Sequence, residues 1–318
     1  MTDESASRYK LLEQIGTGGL GDVYRARDTE RGRTVAVKFP NPALTADPER
    51  REALLRQARE VARLSHPSVA ALFDVGEADS RVYLVFEYIS GRALRAVIGG
   101  HPIKPRRAVD FGIQIADALA EAHSAELVHG DLRPETIFVT GKDRAKILDF
   151  GLSDFTGGGR ARRPTGAEGE GGDAAQRRAV ASYLAPEEAA GEPADAVTDI
   201  FGLGCVLFEM LTGRQAFAKA ASGDVQRAPR VSSIMRTVPG ELDAIVARAL
   251  APDRTARYQT ATTLAAELRG VGAILDVRTA TNEGEFLDEE QPSAFRRALP
   301  WLLILAVAGG VAAGVWAC

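Results

Sequence analysis

Gly16-Thr-Gly18-Gly-Leu-Gly21-Asp-Val23-Tyr-Arg-Ala-Arg-Asp-Thr29-Glu-Arg-Gly-Arg33-Thr-Val35-Ala36-Val37-Lys38-Phe39 is the stretch that decides how this chain folds. Glycines at this spacing let a backbone approach phosphates closely, with N–H groups aimed at the anion. Alone, the G-x-G-x-x-G pattern is weak, because dinucleotide-binding folds share it. Those folds need a helix directly after the third glycine. Here two strand-like segments follow, around a turn at Thr29–Arg33, and Thr34–Phe39 alternates with period two. The dinucleotide reading fails on that context, and the stretch reads as a glycine flap over a hairpin. Alternation places Ala36 and Lys38 on the face opposite Val35 and Val37. Flap amides that hold oxygens and an inward ammonium that neutralises them suit a triphosphate. The plain alternative for Lys38 is a solvated surface lysine, which its apolar flanks disfavour.

Outward from the flap, Tyr9 to about Tyr88 is mostly strand-like, with Arg81–Ile89 a β-branched and aromatic run. One helix interrupts it at Pro48–Leu64, where Leu54, Leu55, Ala58, Val61, Ala62 and Leu64 fall at three-to-four spacing. After Gly91 the pattern turns helical, at Pro105–His123, Asp195–Leu211, Pro239–Leu250 and Ala261–Leu268. Strand candidates such as Ala145–Leu148 break it within residues 127–152. Residues 1–8 read as a disordered tail. Residues 156–178 hold seven glycines and almost nothing apolar, which predicts a mobile loop.

A chain of 318 residues can bury a large core, as two domains or one large two-lobed one. The formal net charge of −4 gives no sign of a nucleic-acid surface, so no nucleic-acid partner is expected. Only Cys205, in an apolar run, and Cys318 are present, which fits a reducing compartment, with Cys205 a small buried hydrophobe. The polar N-terminus carries no apolar signal region, so no cleaved leader is expected. From Ala298 to Cys318 no residue is charged. At about 1.5 Å per residue that run spans roughly 31 Å, the hydrocarbon thickness of a bilayer. Trp301 and Trp316 stand near its ends, and Arg296 and Arg297 precede it. The expectation is a single transmembrane helix after a polar linker at 273–297, with everything N-terminal to it on the cytoplasmic side of the inner membrane. A buried core helix is the alternative, but one of this length would show a polar face. Gly310 and Gly314 form a small-xxx-small spacing that permits a homodimer, although glycine is common in such helices anyway.

Further motifs lie in order beyond the hairpin: His129-Gly-Asp131-Leu-Arg133-Pro-Glu-Thr136, then Asp149-Phe-Gly151, then Ala185-Pro-Glu187. With these the chain resembles a Hanks-type, eukaryotic-like bacterial serine/threonine protein kinase, from about Tyr9 to Leu268. The resemblance implies an α+β, two-lobed fold: a β-rich N-lobe at 9–90 and a helical C-lobe at 91–272, with 156–178 as its activation loop. It implies ATP and Mg2+ as cofactors and a protein substrate. Carried over by residue, Gly16, Gly18 and Gly21 form the phosphate flap, and Val23 and Ala36 face adenine above Phe138. Lys38 holds the α- and β-phosphates. Phe86 is the gatekeeper, and Glu87 to Ile89 are the hinge. Asp131 orients and deprotonates the substrate hydroxyl, with Arg133 beside it. Asp149 holds the metal. Glu187 and Arg257 match a structural ion pair, and Asp199 the support of the catalytic loop. His66 and His129 match scaffold positions.

The chain departs from the family at several positions. Gln57 stands where the helix usually offers a glutamate to Lys38, and Glu60, one turn later, substitutes only if the helix shifts. Thr136 replaces the asparagine that serves a second magnesium; its hydroxyl is a shorter and weaker ligand. Gly130 replaces an arginine that pairs with a phosphorylated loop, and Val180 a substrate-contacting threonine. Three functions are thus weighed: a working kinase of reduced rate, a pseudokinase acting as a nucleotide-binding scaffold, and, disfavoured by Ala185-Pro-Glu187, a small-molecule kinase.

Overall fold

The computed structural model describes residues 8–78, 81–155, 181–217 and 227–289. Its N-terminal lobe is a five-stranded antiparallel sheet in the order β1-β2-β3-β5-β4. The strands are β1 Tyr9–Thr17, β2 Gly21–Asp28, β3 Arg33–Pro40, β4 Leu72–Ala78 and β5 Arg81–Glu87. Period-two alternation divides its faces. Tyr9, Ala26, Val35, Val37, Tyr83 and Val85 form a buried cluster on one side. On the other, Ala36 pairs with Phe86 and Lys38 with Leu84, so the charged position is turned to the opposite face.

Between β3 and β4 lie α1 (Pro42–Thr45) and α2 (Pro48–Val61). Asp47 caps α2 by accepting the Glu49 N–H at 2.9 Å, and Pro48 fills the first position, where no N–H is needed. Leu54, Ala58 and Val61 are its buried stripe. The expected disordered tail is corrected at its last residue. Arg8 donates to the fully buried Asp28 at 3.0 and 3.1 Å, and this contact holds the Asp28 carboxyl down at about 2.

The second lobe has a small sheet of β6 (Gly91–Ala93), β7 (Ile137–Thr140) and β8 (Ala145–Ile147). Around it stand α3 (Leu94–Ile98), α4 (Pro105–Ser124), α5 (Pro186–Ala189), α6 (Ala196–Thr212), α7 (Val231–Ile234), α8 (Gly240–Ala249) and α9 (Ala261–Glu289). Helix α6 is the axis of this lobe. Asp195 caps it by accepting the N–H groups of Val197 and Thr198, and every side chain from Thr198 to Thr212 is buried. A helix apolar on all sides needs neighbours on all sides. Gly112 of α4 lets α6 and α9 come close: a Cβ there would sit 2.8 Å from a Leu207 methyl and 3.2 Å from a Leu268 methyl. Cys205 is buried in this axis, and burial pushes its thiol pKa up, leaving an inert hydrophobe.

The chain up to Gly272 forms one compact unit, and a second begins at Ala273. Helix α9 runs on to Glu289, so the first part of the stretch expected as a polar linker from residue 273 is helical. No proline falls between Pro252 and Pro292 to stop it. Among the described residues no helix is long and apolar enough to cross a membrane. The predicted membrane helix at 298–318 and the predicted mobile loop at 156–178 both lie outside the described residues.

Candidate active site

The flap tip is closed by two backbone hydrogen bonds, Gly18 N–H to Gly21 O at 2.8 Å and Gly21 N–H to Gly18 O at 3.2 Å. Gly21 has φ 150°, and a Cβ on it would lie 2.1 Å from the Phe39 carbonyl oxygen, so the fold itself requires glycine there. Gly16 and Gly18 differ. Neither has positive φ, no atom lies within 4 Å of a Cβ at Gly16, and the nearest at Gly18 is 3.9 Å away. No described neighbour demands these two glycines, and what they provide is bare backbone beside open space, the form a phosphate cradle takes.

Behind the flap, Val23 pairs with Lys38 across β2 and β3. The Lys38 ammonium is 5.1 Å from the centre of the buried Phe86 ring. At the end of β5, Glu87 gives its N–H to Ala71 O at 2.8 Å, while its carboxylate accepts from Lys146 Nζ at 2.7 Å. No backbone hydrogen bond among the described residues uses the amide or carbonyl of Ile89, two positions on. Phe138 is half-buried on β7, on the face opposite the buried Ile137 and Val139. Val23, Ala36, Phe86 and Lys38 thus share the sheet face opposite the Val35 and Val37 cluster.

Lys38 is mostly buried and ion-paired with Asp149. Asp149 has φ 56°, a left-handed conformation uncommon outside glycine and kept where the surroundings enforce it. The next residue, Phe150, is buried with its ring edge-on to His129, centroids 5.1 Å apart. Gly151 faces α2: a Cβ there would meet Gln57 Nε2 at 3.3 Å and a Val61 methyl at 2.9 Å. Gln57 therefore lies against the segment after Asp149. Glu60 is exposed and bonds Arg63 at 2.8 Å, away from Lys38.

His129 joins the two carboxylate-bearing loops. Its Nδ1 accepts the Asp131 N–H at 3.0 Å, which leaves Nε2–H to donate to the Leu148 carbonyl at 3.0 Å. Below them the buried Asp199 accepts from the N–H groups of His129 and Gly130, both at 2.8 Å, and contacts His123 Nε2 at 2.9 Å. Arg133 Nε donates to Asp131 Oδ1 at 3.1 Å. The Thr136 hydroxyl, expected as a metal ligand, faces the loop's own backbone. It lies 3.1 Å from Asp131 O and 3.0 Å from Arg133 O, and accepts the Arg133 N–H at 3.2 Å. Among the described residues no cluster of three or more His, Cys, Asp or Glu is placed to hold a metal by itself. Asp149 offers one carboxylate, so a metal here would take its other ligands from phosphate oxygens and water.

The model of the protein kinase domain family matches residues 9–267. The chain belongs to the protein kinase family. Among curated proteins, the kinase is 35% identical over 306 residues to a probable serine/threonine-protein kinase of Corynebacterium efficiens, covering 92% of this chain and 45% of that protein. It is 37% identical over 277 residues to the serine/threonine-protein kinase PknB of Mycolicibacterium smegmatis, covering 83% of this chain and 43% of that one. The chain thus spans less than half the length of these relatives. Among solved structures, the kinase domain of Mycobacterium tuberculosis PknI superimposes with a TM-score of 0.65 at 23% identity, covering 83% of this chain and 96% of that one. This likeness carries the fold.

Within the kinase, Glu187 of α5 and Arg257 form a bidentate pair at 2.6 and 2.8 Å, both buried, with Arg257 also reaching the carbonyls of Ala251 and Pro252. Sequence reasoning missed a second charged cluster. Arg95 of α3 binds Glu135 of the catalytic loop at 2.7 Å and also Glu209 of α6 and the Tyr183 hydroxyl. The available signal was Glu209, an acidic residue inside the apolar run Leu203–Leu211, where a charge needs a partner.

Proposed function

We propose that this kinase transfers the γ-phosphoryl group of ATP to serine and threonine hydroxyls of a protein substrate, at a reduced rate. The single observation that carries the reading is the Lys38–Asp149 ion pair beneath a glycine flap, stapled through His129 to the Asp131 loop. Flap amides at Gly16, Gly18 and Gly21 would hold phosphate oxygens. Lys38 would pass from Asp149 to the α- and β-phosphates, and Val23, Ala36, Phe138 and the Glu87–Ile89 backbone would hold adenine. Magnesium bound at Asp149 would neutralise charge on the phosphoryl oxygens. Asp131 would orient the substrate hydroxyl and take its proton, and Arg133, bonded to that carboxylate, would hold its direction. Transfer then depends on position and fixed charge rather than on a covalent enzyme intermediate.

Magnesium-dependent transfer to the chain itself and to a generic basic protein tests this, with Lys38→Met and Asp131→Asn as controls. Each control is expected to lower transfer by at least about 10²-fold, the scale for losing one preorganised charge. Signal that persists in either control sinks the reading. A second reading, a nucleotide-binding scaffold, is favoured by Gln57, which supplies no charge to Lys38, and by the occupied Thr136 hydroxyl. ATP-dependent thermal stabilisation without transfer is its signature.

We further propose, from sequence alone, that residues 298–318 tether the kinase to the inner membrane with its catalytic lobes in the cytoplasm. Gly310 and Gly314 would permit pairing of two such helices. Crosslinking in membranes of the full chain and of Gly310→Leu tests that pairing; a monomer in both sinks it.

A further inference from the structure

Helix α4 and the turn between β7 and β8 enclose an open cleft of about 360 Å³, and none of its lining residues belongs to the candidate active site. The turn is held stiffly. Asp143 has φ 52°, its N–H bonds the Thr140 carbonyl at 3.1 Å, and the Thr140 N–H bonds the Arg144 carbonyl at 3.0 Å. Gln114 of α4 stitches the turn to the helix: its Oε1 accepts the Ala145 N–H at 3.0 Å, and its Nε2 donates to the Asp143 carbonyl at 3.3 Å. Arg107 donates to the Asp143 carboxylate at 2.8 Å and lies 5.2 Å from the centre of the Phe111 ring. Its Nε is buried with no hydrogen-bond partner among the described residues.

This frame displays charge. Five cations, Lys104, Arg106, Arg107, Lys142 and Arg144, stand at the start of α4 and on the turn, against two carboxylates, Asp110 and Asp143. Both carboxylates are committed, Asp110 to Arg106 and Asp143 to Arg107. Lys104 precedes Arg107 by three positions and is its neighbour along the helix start. Lys104, Lys142 and Arg144 are exposed, and their side chains have no ion-pair partner among the described residues. The whole chain carries −4, so the sign is reversed locally. Unneutralised cations on a fixed frame suit an anionic partner and lose little freedom on meeting it.

The course of the chain selects among anions. The first compact unit ends at Gly272 of α9, where a Cβ would lie 3.5 Å from a Val109 methyl and 3.8 Å from Arg106 Nη1. The chain therefore leaves that unit against the same start of α4 that bears the cations. After residues 273–297 comes the uncharged run that opens at Ala298. A tether holds its cargo at high effective concentration near the bilayer, so several weak charge contacts suffice there.

We infer that this face of the C-lobe is a membrane-docking surface, on which Lys104, Arg107, Lys142 and Arg144 meet the phosphates of anionic lipids. Nearness to the leaflet rests on the tether proposed above; the charge match does not.

The test uses the full chain on phosphatidylcholine vesicles with and without phosphatidylglycerol. Amine labelling read by mass spectrometry compares Lys142 and Lys104 with Lys10, an exposed lysine of β1 in the other lobe. On anionic vesicles Lys142 and Lys104 should label about fivefold more slowly than on neutral ones, the scale of one surface charge contact, with Lys10 unchanged. High salt should abolish the difference by screening, and soluble glycerol phosphate should not reproduce it. Lys142→Glu combined with Arg144→Glu should erase the protection of Lys104 and, both positions being exposed, leave the thermal midpoint as in the parent. Equal labelling on the two vesicles overturns the inference, whether the lysines are open or covered by the acidic run Glu283–Glu290 or a second copy. Shielding by glycerol phosphate marks a free-anion site, and equal shielding of Lys10 marks burial of the whole domain; either overturns it too. Failure to float with neutral vesicles sinks the tether instead. The face is then read from flotation with anionic vesicles at low salt, which the parent should show and the double variant should lose; a parent left unbound there overturns the inference.

Discussion

The ammonium of Lys38 is ion-paired with the carboxylate of Asp149, 111 positions away in the chain. In the proposed mechanism each must release the other before nucleotide reaches Lys38 and metal reaches Asp149. Helix α2 contributes an amide, Gln57, set against Gly151 rather than a charge set against Lys38. The site therefore satisfies its lysine with the same carboxylate that is proposed to hold the metal.

Replacing Gln57 with glutamate should shift that balance. A carboxylate on α2 would compete for the ammonium and leave Asp149 freer for metal. One hydrogen bond to a charged group is worth about 1.5–3 kcal/mol, and part of it spent this way should raise transfer several-fold at limiting magnesium. Initial rates across a magnesium titration check this; an unchanged or lower rate at every concentration means α2 is not positioned to reach Lys38.

Thr136 provides a second test of the proposed metal site. Its hydroxyl closes the catalytic loop through the Asp131 and Arg133 backbone. Thr136→Val should cost about 1–2 kcal/mol of stability by leaving those buried groups unpaired, seen as a lower urea midpoint. Thr136→Asn can keep a donor on the loop while adding a carbonyl oxygen, and should raise activity at low magnesium. No gain there would count against a second metal position in this cleft.

Much of this architecture was legible in the residues. The alternation around Lys38 gave its face, and the three-to-four spacing of Leu54, Ala58 and Val61 gave the stripe of α2, because burial of one face leaves a periodic trace. Arg95 left no such trace. It is one arginine in a five-residue helix, and its partners come from the catalytic loop, from Tyr183 and from the centre of α6. Contacts assembled from segments so far apart exist only once the lobe has closed. The reach of α9 past Leu268 was hidden for the opposite reason: its later residues carry no strong apolar period, and only the lack of a stop signal hinted that it continues.

The Glu187–Arg257 pair allows a prediction about stability alone. Both side chains are almost fully buried, and the Arg257 guanidinium is also 4.7 Å from the centre of the Phe201 ring. Removing one partner leaves the other charged and dry, so Glu187→Gln and Arg257→Met should each cost about 3–5 kcal/mol. Taking both together should cost less than the sum of the two, since the double variant strands no charge. Denaturant unfolding of the three variants gives the cycle; strict additivity would mean the two groups are not coupled.

Gly130 stands directly before Asp131, where the family carries an arginine. It has φ 69°, and a Cβ built on it would lie 2.5 Å from Ser153 Oγ and 3.3 Å from the Ala194 methyl. Restoring the arginine therefore adds a left-handed side-chain residue and presses it on Ser153, whose hydroxyl is at the end of a rotatable bond and can give way only in part. The left-handed placement alone costs about 1–3 kcal/mol. Gly130→Arg should accordingly lower the thermal midpoint by several degrees, whereas Gly130→Arg with Ser153→Gly should recover part of the loss. If the single variant is as stable as the parent, the loop before Asp131 is looser than its hydrogen bonds to Asp199 imply. The arginine would then be missing for reasons of regulation rather than of space.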